Sequence, residues 1–317
     1  MHSARPIPLC LPPFDDPPPW SFRLLGEHEA RHESLGDGTS LRTLEGARST
    51  LTSIRVPDAQ RMDGRSFQDA TAAAYDRIRA SLDRRHDRHL VRMWNFIPGI
   101  LEPIDAFPQR YMAFNAGRFA ALGVSTDGCT RSGGPVPTSS GVGSEGPDLV
   151  IHALSCDVPG LPVENRRQVP SYRYSARFGP RPPCFARGTR LAWPSAGDIL
   201  LLVGGTASVV GEETAHAGNP GAQIDETLSN LSALLRDGLP GVGESSAPRA
   251  PLGFFRFLRI YYLGEDIRPV AERTVAARFG GVHEVEYIPA TLCRPDLLVE
   301  IEGVACLRPL SDLGASH

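Results

Sequence analysis

Phe254-Phe255-Arg256-Phe257-Leu258-Arg259-Ile260-Tyr261-Tyr262-Leu263 is dense in aromatic and branched residues and reads as a strand. A helical pattern follows from Asp266 to Phe279 and stops at Gly280-Gly281. Upstream, Ile224, Leu228, Leu231 and Leu235 recur at helical spacing between Ala222 and Leu235, with Gly238 as the stop. The second half of the chain is therefore ordered helix, strand, helix. The first half repeats that order. Phe67, Ala70, Ala74, Ile78 and Leu82 mark a helix over Ser66 to Arg85. His89 to Ile97 reads as a strand ended by Pro98-Gly99, and Gln109 to Leu122 as a helix ended by Gly123. The second helices also end alike, in Arg118-Phe119-Ala120-Ala121-Leu122-Gly123 and Ala276-Ala277-Arg278-Phe279-Gly280. The repeat predicts a duplicated α+β unit, with a mixed sheet packed on helices in each copy.

The remaining chain is assigned around that frame. Residues 1 to about 20 are rich in Pro-Pro and Asp-Pro and predict an extended arm. Residues 21–60 read as short strands and turns. Residues 125–147 are rich in Gly, Ser and Pro and read as a linker or mobile loop. Strands are expected at Asp148 to Leu154, Gln168 to Tyr174 and Asp198 to Val203. This divides the chain into residues 1–147 and 148–317, with a single active site in the second domain. A length of 317 residues agrees with two domains.

Bulk properties narrow the function. A net charge of -3 provides no basic field for nucleic acid. The six cysteines form no CxxC pair, so neither a metal knuckle nor a redox motif is expected. The N-terminus lacks the apolar run of a signal peptide, and no run of about 18 apolar residues exists to cross a membrane. A cytoplasmic protein with free thiols is the expectation.

Three stretches carry chemistry. In the last one, Thr291 to Gly303, Leu298, Glu300 and Glu302 share one parity, so an extended chain points both carboxylates the same way. A carboxyl held there among apolar walls has a raised pKa and acts as a general acid; in a half-exposed strand both would be solvated. The stretch Gln168 to Tyr174 with Phe178 to Arg187 places tyrosines and arginines in a proline-stiffened loop. That set suits a ring-shaped carboxylate, since Arg offers a bidentate fork; the alternative is an ordinary solvated loop. Gly204-Gly205-Thr206-Ala207-Ser208 follows a strand and lets a ligand approach the backbone, but no Lys follows to make a phosphate loop. Glu212, Glu213 and His216 lack the HExxH order, so no metal is expected. Arg110, Phe114 and Arg118 fall near one helix face, available for a ligand or for salt bridges. Trp94-Asn95 reads as core packing.

Taken in order, Trp94 to Gly99, Arg110-Tyr111 with Phe114-Asn115 and Gly117-Arg118, Tyr172-Arg173-Tyr174 with Gly179-Pro180-Arg181, Pro183 to Arg187, Gly205 to Ser208, and Cys293 to Gly303 resemble the chorismatases, including the 3-hydroxybenzoate synthases. The resemblance runs from about residue 90 to 306. It implies two YjgF/RidA-like (chorismate-mutase-like) domains, chorismate as substrate, pyruvate and a ring acid as products, and no cofactor. It places Glu300 as the acid that protonates the enolpyruvyl methylene. It makes Arg110, Arg118, Tyr172, Arg181, Arg187, Ala207 and Arg294 the substrate-binding set. Cys293, seven residues before Glu300, is similar to the 3-hydroxybenzoate branch, whereas the hydrolytic branch has a small inert residue there. Ala207 resembles the hydrolytic branch, and Glu212 stands where the family commonly has His. Cys293 decides for 3-hydroxybenzoate, because a thiol can relay a proton and Ala207 only adjusts volume. The alternatives are a bifunctional 3-/4-hydroxybenzoate synthase and a hydrolase giving the dihydrodiol. An imine deaminase of the same fold would need an Arg between Gly280 and Leu292, which is absent. A non-catalytic ligand-binding module would need no acid. A monomer is expected from two fold units in one chain, with a trimer as the other option.

Overall fold

The computed structural model describes residues 15–84, 87–193, 198–242 and 250–307. Most of the expected proline-rich arm, with Cys10, lies outside the described residues. A short helix α1 (Pro19–Leu25) leads into strands β1 (His28–Ser34), β2 (Ser40–Gly46) and β3 (Ser49–Val56). Then come α2 (Gly64–Asp83), β4 (His89–Pro98), α3 (Arg110–Leu122), β5 (Thr138–Ser144) and β6 (Leu149–Cys156). The second half runs β7 (Leu161–Val163), β8 (Gly188–Trp193), β9 (Asp198–Ala207), the two-residue strands β10 (Val209–Val210) and β11 (Glu213–Thr214), α4 (Pro220–Gly238), β12 (Phe255–Tyr262), α5 (Arg268–Arg278), β13 (Glu284–Pro289) and β14 (Val299–Cys306).

The two six-stranded sheets have one topology. Their orders are β1-β2-β3-β6-β4-β5 and β7-β8-β9-β14-β12-β13. In each, a helix carries the chain over to a parallel neighbour: α3 from β4 to β5, α5 from β12 to β13. The last strand of each unit then inserts antiparallel beside the strand before that helix. The fold is α+β and duplicated, as the helix–strand–helix repeat predicts.

Alternation along the strands builds the layers. Leu200 and Leu202 of β9 point into a core between the sheets, with Trp94, Phe96 and Leu154 of the first unit. Leu201 and Val203 point the other way, onto Leu228, Leu231 and Leu235 of α4. The first sheet likewise packs Met93, Ile97 and Ile151 on Phe67, Ile78 and Phe114 of α2 and α3. Capping sets the helix starts: Asp63 accepts from the Ser66 N–H at 2.8 Å, and Asn219 from the Ala222 N–H at 3.1 Å.

Three segments differ from the sequence reading. Pro19–Leu25 is helical, since Pro at the first helical position loses no hydrogen bond there. Thr138–Ser144, read as part of a linker, is a strand paired in parallel with β4, and its Ser139 and Ser140 are buried. Gln168 to Tyr174 forms no strand; Ser171–Arg173 is a single 3₁₀ turn between Pro170 and Tyr174. The sheets also divide the chain after Cys156, not after residue 147, because β6 pairs with β3 and β4 in the first sheet.

Candidate active site

A cavity of about 310 Å³ lies where the two units meet. The first unit contributes Tyr111, Met112 and Arg118 from α3 and Ser139, Ser140 and Gly141 from β5. The second contributes Gly205 and Ala207 at the end of β9, Glu300 at the start of β14, Cys293 and Arg294 from the loop before it, and Gln168, Tyr174, Phe185 and Arg187 from the long loop before β8. The cavity therefore belongs to both halves, not to the second alone, because edge strand β5 packs beside β9.

β14 is buried along its whole length, which rules out solvated glutamates. Glu300 and Glu302 do share a face, yet their surroundings differ. Glu302 is held by Arg92 Nη2 at 2.8 Å, by the Trp94 indole N–H at 2.8 Å and by the Ser140 hydroxyl. All three partners come from the other unit, so this carboxylate is an inter-sheet tie. Opposite Glu302, β9 spends two residues, Gly204 and Gly205, where β14 spends one. That bulge brings the Gly205 N–H to the Ser140 hydroxyl at 2.9 Å. It also makes room for the neighbouring acid: a Cβ at Gly205 would sit 2.6 Å from the Glu300 carboxyl carbon.

Glu300 receives no hydrogen bond among the described residues. Burial, and then the Glu302 charge beside it, push its pKa up to about 8, against the pull of Arg92 and Arg187. The group is therefore a neutral acid at pH 7. Burial, with Glu300 close by, pushes the Cys293 thiol up to about 12, so it too keeps its proton. Burial likewise raises the Tyr111 phenol, with Cys293 and Glu300 adding to it.

The cations form a separate wall. Arg118 and Arg187 both stack on one ring, with guanidinium carbons 5.8 and 5.0 Å from the Phe185 centroid. Arg118 donates to Asn115 Oδ1 at 2.9 Å and Arg187 to the Tyr174 hydroxyl at 2.6 Å. Among the described residues, the Nε atoms of both arginines and Oε1 of Gln168 are buried without a partner. Such groups carry a cost until something hydrogen-bonds them. Arg294 lies over Phe178 at 4.4 Å and donates to the Glu212 carbonyl at 2.8 Å, at the rim.

Of the residues singled out in the sequence, Glu300, Cys293, Arg118, Arg187, Ala207 and Arg294 converge on the cavity. Arg110, Tyr172 and Arg181 do not line it. Arg110 turns back to the Gln60 and Ala59 carbonyls at 2.9 and 3.3 Å and lies over Phe67. Eight helical residues leave it about 80° round α3 from Arg118, and that angle separates the two. Tyr172 packs beside Val136 and Cys184, against Gly128. Arg181 is exposed and rests on Phe119. Conversely, Ser139, Ser140 and Gly141 carry no local signal in the sequence, lying within a stretch whose composition reads as a linker.

Comparison with known proteins adds an independent line. The family model for the N-terminal domain of FkbO/Hyg5-like chorismatases matches residues 28–155. A 3-hydroxybenzoate synthase of Streptomyces hygroscopicus is 34% identical over 253 residues, covering 79% of this chain and 72% of the relative. A chorismatase of Streptomyces rapamycinicus is 30% identical over 266 residues, covering 82% and 78%. The crystal structure of a chorismatase superposes with a TM-score of 0.71 at 26% identity, over 87% of this chain and 79% of that one.

Proposed function

The chain belongs to the chorismatase family, and from that premise we propose that it converts chorismate to 3-hydroxybenzoate and pyruvate with Glu300 as the acid. The observation that carries the assignment is a buried carboxyl, without a hydrogen-bond partner among the described residues and pushed up to about 8, facing a wall of arginines in one cavity. Cleavage of an enolpyruvyl ether begins with a proton on its terminal methylene, which needs a neutral acid of this kind. The resulting oxocarbenium ion develops beside the carboxylate that Glu300 has become. The ring hydroxyl next to the ether then displaces the ether oxygen, which leaves as the ketone oxygen of pyruvate. The arene oxide so formed opens to the phenol as the ring carbon bearing oxygen loses its hydrogen. The two products together contain the atoms of chorismate, so no water is consumed. Arg118 and Arg187 suit the two substrate carboxylates, and Arg294 suits one at the rim.

Cys293 supports the 3-hydroxybenzoate branch. Its thiol keeps its proton at neutral pH beside Glu300 and is suited to hold the ring hydroxyl in place while water is kept out. One observation favours the hydrolytic reading: Ala207 pairs directly with Glu300 across β9 and β14, where it sets the volume beside the acid. Incubation with chorismate, followed by chromatography of the products, separates the readings. Pyruvate with 3-hydroxybenzoate is expected, and Cys293→Ala should shift product toward the dihydrodiol. The dihydrodiol alone from the unmodified protein refutes the branch, a mixture with 4-hydroxybenzoate gives the bifunctional type, and no turnover refutes the reaction. We further propose that the enzyme acts as a cytoplasmic monomer, since both units that line the cavity come from one chain.

A further inference from the structure

The duplicated topology defines a second position equivalent to the cavity, this time against the first sheet. Matching irregularities fix the alignment. β12 slips register against β14 between Phe255 and Phe257, and β4 slips against β6 between Leu90 and Arg92. Setting Phe257 on Arg92 places Tyr261 on Phe96 and Arg259 on Trp94. Their cross-strand partners then correspond: Glu300 with Val150, and Glu302 with His152. On the other side of the inserted strand, Ala207 corresponds to Arg55. On the parallel edge strand, Ser140 corresponds to Glu286. The counterpart thus has Val150, His152 and Arg55 from the first unit, with Glu286 and Arg259 from the second, where the cavity region has Glu300, Glu302, Ala207, Ser140 and Trp94.

This counterpart sets Arg55 and Arg259 against Asp148 and Glu286, and it is filled by the chain itself. Arg55 Nη2 lies 2.6 Å from Asp15 Oδ2. The buried His152 donates from Nε2 to the Asp15 carbonyl at 2.6 Å, the tautomer being set by that acceptor. The buried Arg259 donates to the Asp16 carbonyl at 2.8 Å while gripping Glu286 at 2.9 and 3.1 Å. The chain then continues through the buried Pro17 and Pro18. It reaches Trp20, whose ring packs 5.5 Å from that of Trp94 between the sheets.

We propose that the face of the first sheet, together with Arg259 of the second unit, holds a second small-carboxylate site, duplicated with the fold and closed by Asp15-Asp16 acting as an internal ligand. Arg55 supplies Nη2, which the Asp15 carboxylate now occupies while Nη1 holds Asp148 at 3.0 Å, and Arg259 with His152 supplies the donors behind it. Val150 stands at the position of the acid, so the site binds without cleaving. The inference rests on the duplication and on these contacts, and it stands apart from the assignment of the reaction.

Equilibrium dialysis with isophthalate, a ring dicarboxylate with no bond for this chemistry to break, tests it. The Asp15→Ala/Asp16→Ala chain should bind one more isophthalate than the unmodified chain, with chorismate turnover within about twofold of it. Adding Arg55→Gln should abolish the extra equivalent. A folded double variant that binds no more than the unmodified chain overturns the proposal. If the double variant does not fold, Asp15→Ala alone, which keeps the Asp16 carboxylate, is read by the same two outcomes.

Discussion

Replacing Glu300 by Gln should remove activity and stabilise the fold at the same time. Gln keeps the shape of the side chain but has no acidic proton. General acids of this kind contribute roughly 10²- to 10⁴-fold, so kcat should fall by about that factor. The stability effect follows from linkage. The folded-state pKa is about 8 against 4.5 for an unburied Glu. The folded protein therefore holds a proton that the unfolded chain releases. Stability from this group is fully present below about pH 4.5 and is lost as pH rises towards 8. By pH 7 the loss spans some 2.5 pH units, or about 3 kcal/mol; at pH 5 it is under about 1 kcal/mol. Glu300→Gln does not titrate, so its advantage over the unmodified protein should grow from under about 1 kcal/mol at pH 5 to about 3 kcal/mol at pH 7. Urea unfolding at the two pH values reads the difference. In the unmodified enzyme, kcat/KM should be level below pH 7 and drop about tenfold per unit above pH 8, as the acid form is lost. A variant that retains its turnover, or a stability difference that stays flat with pH, would refute the account of Glu300 as a buried neutral acid.

The inter-sheet tie gives a contrasting result. Arg92→Met should destabilise the protein by about 3–5 kcal/mol, measured by urea unfolding, because it strands the buried Glu302 carboxylate. Gly205→Ala should cut kcat at least as severely as it changes stability, since its methyl group takes the space of the Glu300 carboxyl; steady-state kinetics and thermal unfolding on one preparation compare the two. Arg118→Ala should raise KM for chorismate, as it removes a cation of the cavity wall. Arg110→Ala should lower the unfolding midpoint and leave KM unchanged, because its contacts are the Ala59 and Gln60 carbonyls and the Phe67 ring. Equal effects on KM from both arginines would return Arg110 to the binding set.

Local patterns carried much of this molecule. The spacing of Phe67 to Leu82 and of Ile224 to Leu235 marks the helices, and the like endings at Gly123 and Gly280 show the duplication within the sequence itself. The parity of Glu300 and Glu302 was enough to put both carboxylates on one face, since strand geometry fixes alternation without reference to neighbours. What alternation does not contain is the partner across the sheet. Glu302 is an ion-paired tie and Glu300, among the described residues, an unpaired acid because Arg92, Trp94 and Ser140, about 160 to 210 residues away in sequence, reach one carboxylate and stop short of the other. In the same way, Arg110 and Arg118 share a helix and nearly a face, and the packing of Phe67 beneath one and Phe185 beside the other sends them to different ends. The serines of β5 read as a linker because a strand whose polar side chains are satisfied by another sheet has no apolar periodicity to show. Residue type and spacing settle which faces a segment has. The charge state and the use of each face depend on desolvation and on distant partners, and those exist only once the two sheets are packed together.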